Sequence, residues 1–306
     1  MTDNADLSLN IDQQFPQWER GSVPIAVVMI SLNEAHNMMD VLENLKGFAA
    51  EVFLVDSYSN DQTVDIALAY GVHVVQRKFR GFGDQWNFAM RELPITTPWT
   101  MKLDPDERFT AELKQSISDI IQKGNAHAFR LHRRLWFMGR PLPVVQTILR
   151  GWKTGTCKFN DVLVNEHPLV DACPVNAEGF LEHHDSPDLH HWFDKQNKYS
   201  SAEALSSFRG NPLSASPHLF GNQLQRRMWL KSKLMRMPFR SLVVFLHSYL
   251  WSGAWRAGRV GFIWAQMRSN VYRMRALKLL EMRMNRRELN VPSSPIGKPH
   301  PNAIQA

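Results

Sequence analysis

The sequence predicts an α/β fold with a mostly parallel sheet, followed by a basic, amphipathic helical C-terminal segment. Three observations carry this prediction. Strand-like runs alternate four times with segments of helical spacing between residues 23 and 123, which implies parallel strands joined by right-handed crossovers. Polar and acidic residues close successive strands, at the edge where open α/β sheets bind ligands. Basic charge is concentrated late in the chain. Arg226 to Arg287 holds 15 Lys/Arg and one acid, Glu281, whereas the remainder holds 21 basic against 28 acidic residues.

Residues 1–20 are polar, with no apolar run, and read as a flexible tail without a signal peptide. Val23 to Ile30 is a continuous apolar run suited to a strand buried on both faces. Ala35 to Lys46 places Met38, Met39, Leu42 and Leu45 at helical spacing, and Gly47 ends it. Val52 to Val55 is a second strand that stops at Asp56. Asp61 is positioned to cap a helix from Gln62 to Tyr70, closed by Gly71. Next come Val72 to Val75, a glycine-containing loop (77–83), a helix from Asp84 to Leu93 and a strand from Trp99 to Leu103. Thr110 to Lys123 is a further amphipathic helix.

The rhythm then changes. Ala126–His132 and Arg134–Met138 read as two strands of a hairpin around Arg133. Pro141 to Thr156 reads as irregular, and Lys158 to Val164 as a further strand. Asp188 to Phe208 has helical character, and Gly210 to Gly221, with two prolines, reads as a linker. The chain thus divides into the tail at 1–20, an α/β domain at 21–221, a helical segment at 222–290 and a second flexible tail at 291–306.

The late helical segment suits a membrane surface. Ser241 to Trp255 is nearly all apolar but only 15 residues long, against about 20 for a spanning helix. Arg240 and Arg256 flank it, and Gly258 and Gly261 interrupt the helical pattern beyond Arg256. A re-entrant or surface-lying helix on anionic lipid fits this pattern, with Trp229, Trp251, Trp255 and Trp264 at headgroup level. The alternative is a helical subdomain packed on the body. No recognition-helix or aromatic-sheet pattern accompanies the charge, so nucleic acid is not an expected partner. Oligomeric state is not legible. The two cysteines, Cys157 and Cys173, suggest neither a disulfide framework nor a zinc site.

Asp104-Pro105-Asp106-Glu107 comes directly after the fourth strand. Pro105 cannot continue a central strand, so the acids belong to a loop. In an extended segment Asp104 and Asp106 point the same way, and converging carboxylates repel unless a hard cation such as Mg²⁺ or Mn²⁺ lies between them. The same residues also suit a turn and a helix start, with Asp106 or Thr110 as cap. His183, His184, His190 and His191 form two adjacent pairs that do not share a face, so capping or stacking is expected of them rather than metal binding.

Four blocks in order resemble a family 2 glycosyltransferase of the GT-A fold. They are Val27 to Glu34, Leu54 to Thr63, Gly81 to Ala89 and Leu103 to Glu107. The likeness is greatest to lipopolysaccharide-core and exopolysaccharide β-glycosyltransferases of bacteria, and Val164 to Pro168, Leu189 to Ser200 and Pro238 to Phe262 share it.

The resemblance implies a nucleotide-sugar donor, a divalent cation (Mg²⁺ or Mn²⁺) and inversion at the anomeric carbon. It places Asp56 at the uracil or ribose and Ser57 where a second aspartate is frequent. Ser31 and Glu34 fall on positions lining the nucleotide pocket, and Gln85 and Asn87 on the polar face of the third helix. Asp104 and Asp106 match the D-x-D, with both as metal residues and Asp104 also toward the ribose or sugar. Glu166 is the expected base for the acceptor hydroxyl, with Asp161 and Asp185 as rivals. Arg77, Arg80 or Lys102 would offset diphosphate charge.

The expected activity is transfer of one hexose, such as glucose, from a UDP-sugar to a lipopolysaccharide-core or lipid-linked acceptor. The expected place is the cytoplasmic face of a bacterial inner membrane, with peripheral attachment. A nucleotidyltransferase would show a Gly-rich basic loop after the first strand, and Ser31-Leu32-Asn33-Glu34 is not one. A non-catalytic sugar-nucleotide-binding scaffold is the other alternative.

Overall fold

The computed structural model describes residues 16–160, 166–210, 218–221, 225–226, 228–230, 233, 239–290 and 296–306. Nine described strands form one mixed sheet. Its left half is parallel and has the predicted alternation: β1 (Val23–Ser31), α1 (Ala35–Leu45), β2 (Ala49–Asp56), α2 (Thr63–Ala69), β3 (His73–Gln76), α3 (Phe82–Glu92) and β4 (Trp99–Lys102). β1 lies between β2 and β4, with β3 outside β2.

The apolar run of β1 is continuous because both faces are covered. Ile25, Val27 and Met29 join the core under α1 and α2, whereas Ala26 and Val28 join the core with Trp86 and Ala89 of α3. A parallel strand with helices on both faces has no polar side. Asp61 acts at the start of α2 as expected, accepting from Thr63 N at 3.0 Å, although the helix begins one residue later. Its other oxygen takes Ala35 N of α1. Thr110 caps α4 (Ala111–Lys123) by accepting from Leu113 N.

The right half differs from expectation. No hairpin turns at Arg133. β6 (Ala128–Phe137) runs straight through, and the chain reverses at Met138 and Gly139, both at positive φ. That double left-handed conformation matches the strand twist in a two-residue hairpin. The supposedly irregular Pro141–Thr156 is mostly β7 (Arg140–Lys153), antiparallel to both β4 and β6. Its prolines fall at the start, near the hairpin turn, where a missing donor is tolerated.

β5 (Glu107–Phe109) and β10 (Val175–His183) also form strands; they pair antiparallel, and β10 lies parallel to β6. β8 (Cys157–Phe159) and β9 (Pro168–Val170) form a separate two-stranded sheet. The rest of the strand expected over 158–164 falls mainly on residues outside the described set.

α5 (Leu189–Phe208) is capped by Asp188 and carries the C-terminal helices. These are α6 (Arg240–Leu246), a π turn (His247–Trp251), a 3-10 turn (Ala254–Ala257) and α7 (Gly258–Asn285). The two glycines do not act alike. Gly258 opens α7, but Gly261 lies inside it, where a Cβ would stand 1.8 Å from the Ala254 carbonyl oxygen. The apolar stretch over 241–255 is therefore a broken helix folded onto α7.

α7 and the 3-10 turn before it pack on the body: Ala254, Trp264 and Ala265 join Phe137, Leu142, Val144 and Trp192 in one cluster. Lys278 donates to Asn197 O, Ser200 Oγ and Ser201 Oγ, and Arg275 pairs with Glu203 at 2.7 Å. Among the described residues no helix is long and apolar enough to cross a membrane.

The expected tails fall partly outside the described residues, at 1–15 and 291–295. The described end of the second, 296–306, differs from a free tail. Its strand β11 (Ile304–Gln305) lies parallel to β3, and Gly297 N donates to Tyr58 O at 2.7 Å.

Candidate active site

Parallel register brings the carboxyl ends of β1, β2 and β3 level, with Ser31 opposite Asp56 and Asp56 opposite Gln76. Asp56 is fully buried and accepts from Ser31 Oγ, Ser59 N, Ser59 Oγ and Gln76 Nε2, at 2.5–2.9 Å. Four donors saturate a carboxylate and offset its desolvation. The side chain thereby fixes the Ser57–Asn60 turn, and it offers no free oxygen to a nucleotide.

Ser57 and Gln85 are likewise buried and joined at 3.3 Å, and Gln85 Oε1 accepts from Arg77. Asn87 faces away from this network: its amide exchanges two hydrogen bonds with the Phe159 backbone. Asn33 and Tyr58 take φ near +60° in the loops after β1 and β2. Asn33 Oδ1 accepts from Asn60 N, tying the loops together.

The acid loop divides its two aspartates. Residues 105–106 form a turn closed by Glu107 N donating to Asp104 O at 3.0 Å. The segment is therefore not extended, and Asp104 and Asp106 do not share a side. Asp104 Oδ2 accepts from Arg150 Nη2 at 2.7 Å. The same nitrogen reaches Glu107 Oε1 at 2.5 Å, and the other Glu107 oxygen accepts from Asp104 N. Glu107 and Arg150 are buried, so this pair fixes the loop from behind. Burial opposes Asp104's charge, but Arg150 and Lys102 hold its carboxyl well below the usual range.

Asp106 turns instead toward β10 and α5. Its Oδ2 lies 3.3 Å from His183 Nε2 and 3.1 Å from Lys195 Nζ. Asp185 completes the group, 3.0 Å from Lys195. Burial works against the Asp106 charge, yet His183 and Lys195 keep it strongly ionised. Conversely, burial and then Asp106's charge push Glu34 up to about 7. Glu34 thus faces the same centre from the start of α1.

Asp106, His183 and Asp185 offer ligand atoms within 4.8 Å of one another. Asp106 Oδ1 is buried without any hydrogen-bond partner, and a buried acceptor left unpaired is costly. Two carboxylates and an imidazole suit Mn²⁺ or a similar divalent ion. The residues therefore fit a metal, and the Lys195 ammonium lies against both carboxylates. Asp104, paired with Arg150, stands outside this ligand group.

Glu166 lies elsewhere. Its Oε1 is 2.5 Å from Lys102 Nζ, and both side chains are about nine-tenths buried. Lys102 also sits over the Trp86 ring at 4.4 Å. Arg77 is held by Asp84 at 2.6 Å, and Arg80 is exposed. Asp161 lies outside the described residues.

Sequence reasoning missed His183, Lys195, Arg150 and Glu107. Grouping the histidines with each other hid the answer. His183 ends β10 and faces Asp106, whereas His184 stacks on Trp136 at 4.5 Å. The partner came from a loop 77 positions earlier. The alternation in Val175–His183 is the signal that would have exposed the strand, and with it the histidine at its end.

Residues 26–173 match the family model described as Glycosyl transferase family 2. The curated relatives include an uncharacterized glycosyltransferase of Rickettsia bellii, 35% identical over 101 residues, which is 33% of this chain and 34% of that protein. A counterpart in Rickettsia prowazekii is 31% identical over 101 residues, 33% of this chain and 34% of that one. The chain thus matches about a third of the length of these relatives. Among solved structures, a Pyrobaculum calidifontis mannosyltransferase, PcManGT, in complex with GDP-Man and Mn²⁺ is 14% identical. That alignment covers 87% of this chain and 90% of that one, with a TM-score of 0.49. S. aureus TarS 1–349 in complex with UDP-GlcNAc is 12% identical, covering 86% and 92%, with a TM-score of 0.42.

Proposed function

We propose that the protein is an inverting, metal-dependent hexosyltransferase, a reading supported by the match of residues 26–173 to the family model described as Glycosyl transferase family 2. The donor is a nucleotide sugar, read as UDP-linked. The acceptor is a lipopolysaccharide-core or lipid-linked saccharide. The observation that carries this reading is the orphaned Asp106 Oδ1 beside His183 and Asp185.

Asp106, His183 and Asp185 would hold a divalent ion, which when bound would supply Lewis-acid stabilisation of the departing diphosphate. Lys195 moves aside or turns its charge to the diphosphate. Ser31, Glu34 and the Ser57 turn line the nucleotide end, with Asp56 setting the turn's shape. The acceptor hydroxyl attacks the anomeric carbon as the bond to the diphosphate breaks, and its proton passes to a carboxylate. Glu166 is the proposed base, released from Lys102 once donor is bound, which leaves Lys102 positive near the diphosphate.

The C-terminal helices support attachment at the cytoplasmic face of an inner membrane. Phe239, Leu242, Leu246, Leu250 and Trp251 are exposed, Trp251 to 86%. Arg256 and Arg259 are exposed in the 3-10 turn and the first turn of α7 that follow in the chain, a combination suited to the boundary of anionic lipid.

The test is release of nucleoside diphosphate from a panel of nucleotide sugars with Mn²⁺ or Mg²⁺, with and without bacterial membrane extract. Metal-dependent turnover of one donor, stimulated by the extract, is the expected result. No turnover and no donor binding in any combination would contradict the proposal.

A further inference from the structure

A cavity of about 270 Å³ lies against the acid centre, walled by β6, β7, α5 and α7. His183 and Asp185 line it, so it shares a wall with the candidate metal site. Its other walls are aromatic: Trp136, Trp192, Trp264 and Tyr272. Four such rings make broad flat faces for the C–H face of a pyranose. The volume is at the small end for ligand pockets and suits one sugar unit.

Polar heads at the rim lack partners. Among the described residues, Gln196 and Tyr272 line the cavity with no side-chain hydrogen bond, and Arg268 lines it with no carboxylate partner. Arg268 instead lies over the Trp264 ring at 5.3 Å. Arg133, also on the wall, is already engaged by buried Glu107 at 3.4 Å and by Gln146 at 2.7 Å. Asp185 is engaged by Lys195 at 3.0 Å. The charge left uncompensated in the cavity is therefore the Arg268 guanidinium, a planar fork suited to phosphate or carboxylate.

We propose that this cavity is the acceptor subsite, and that it takes a terminal sugar unit carrying a phosphate or carboxylate beside Arg268. This rests on the transferase reading, since it supplies that reaction's second substrate. The aromatic walls hold the ring, Gln196 and Tyr272 meet its hydroxyls, and the shared wall at His183 and Asp185 presents a hydroxyl to the donor. The C-terminal helices then complete the substrate site as well as facing the membrane.

Tryptophan emission of the 306-residue chain reports occupancy, because three indoles line the cavity. The probes are glucose 6-phosphate, glucuronate, glucose and inorganic phosphate. A saturable change is expected with an anionic sugar, at concentrations where glucose and phosphate alone give none. Preference between the two anionic sugars separates phosphate from carboxylate. Affinity should fall about tenfold in Arg268→Ala, as for loss of a charged hydrogen bond, and recover in part in Arg268→Lys.

If the alanine variant fails to fold by circular dichroism, Tyr272→Phe carries the same test with a smaller loss. No saturable response, an equal response to glucose, or unchanged affinity in the folded variants would overturn the proposal. Calorimetry of the same panel of nucleotide sugars with Mn²⁺ on the wild-type protein separates the two readings. Donor binding without anionic-sugar binding removes the subsite alone, and the reverse removes the transferase reading.

Discussion

Lys195 of α5 places its ammonium 3.1 Å from Asp106 of the acid loop, across 89 positions of chain. Both side chains are largely buried. Removing one partner of such a pair leaves a desolvated charge. Lys195→Met should lower the stability of metal-free protein by on the order of 3 kcal/mol, measured by urea unfolding. Mn²⁺ should restore more stability to the variant than to the wild type. Equal stabilities would show that Asp106 needs no cation.

Glu34 predicts a pH signature in the metal-free protein. Its folded value, about 7, stands above the usual 4.5 because burial and Asp106 disfavour its charge. Between those values the native state holds the proton that the unfolded state has released. Stability therefore falls as pH rises through that window, by roughly 3 kcal/mol at most. Glu34→Gln should remove that part of the slope, with the two unfolding profiles diverging from pH 5 to pH 7. Parallel profiles would contradict the stated environment of Glu34.

The fold's left half was legible because its rules are local. Val23–Ile30 needs two covered faces, and Asp61, Gly47 and Gly71 punctuate their helices. The right half depends on pairing between distant segments. β7 is long and carries Arg140, Gln146 and Arg150, so its apolar pattern is weak, and only its partners β4 and β6 make it a strand. The candidate site divided in the same way. Asp104, Asp106 and Glu34 stood out at strand ends. His183, Lys195 and Arg150 acquire their meaning from carboxylates far away in sequence, and the turn at Pro105 separated two aspartates that spacing alone put together.

Gly261 tests the docking of the C-terminal helices. A methyl group there would overlap the Ala254 carbonyl, so Gly261→Ala must push α7 off the 3-10 turn. A loss of about 1–3 kcal/mol is expected, with red-shifted emission from Trp264. An unchanged thermal midpoint would mean that the two segments do not touch as described.

The cysteines should differ in reactivity. Burial pushes the Cys157 thiol up to about 12, whereas Cys173 is exposed. The thiolate is the nucleophile, so iodoacetamide at pH 8 should label one thiol in the native protein and two in urea. Labelling of both in the native state would place Cys157 at the surface.

Glu166→Gln should lower kcat by about 10²–10⁴-fold while leaving donor KM nearly unchanged, as for loss of a general base. Asp185→Asn should instead weaken the response to Mn²⁺. A full-rate Glu166→Gln enzyme would move the base elsewhere.

Mn²⁺ binding reads out whether Asp106 and His183 hold a divalent ion. Calorimetric titration of Mn²⁺ with UDP into wild-type, Asp106→Asn and His183→Gln proteins reads it without any acceptor. The expected result is one Mn²⁺ bound by the wild type and none detected in Asp106→Asn, with clear weakening in His183→Gln. Wild-type affinity in both variants, or no binding by the wild type, would contradict it.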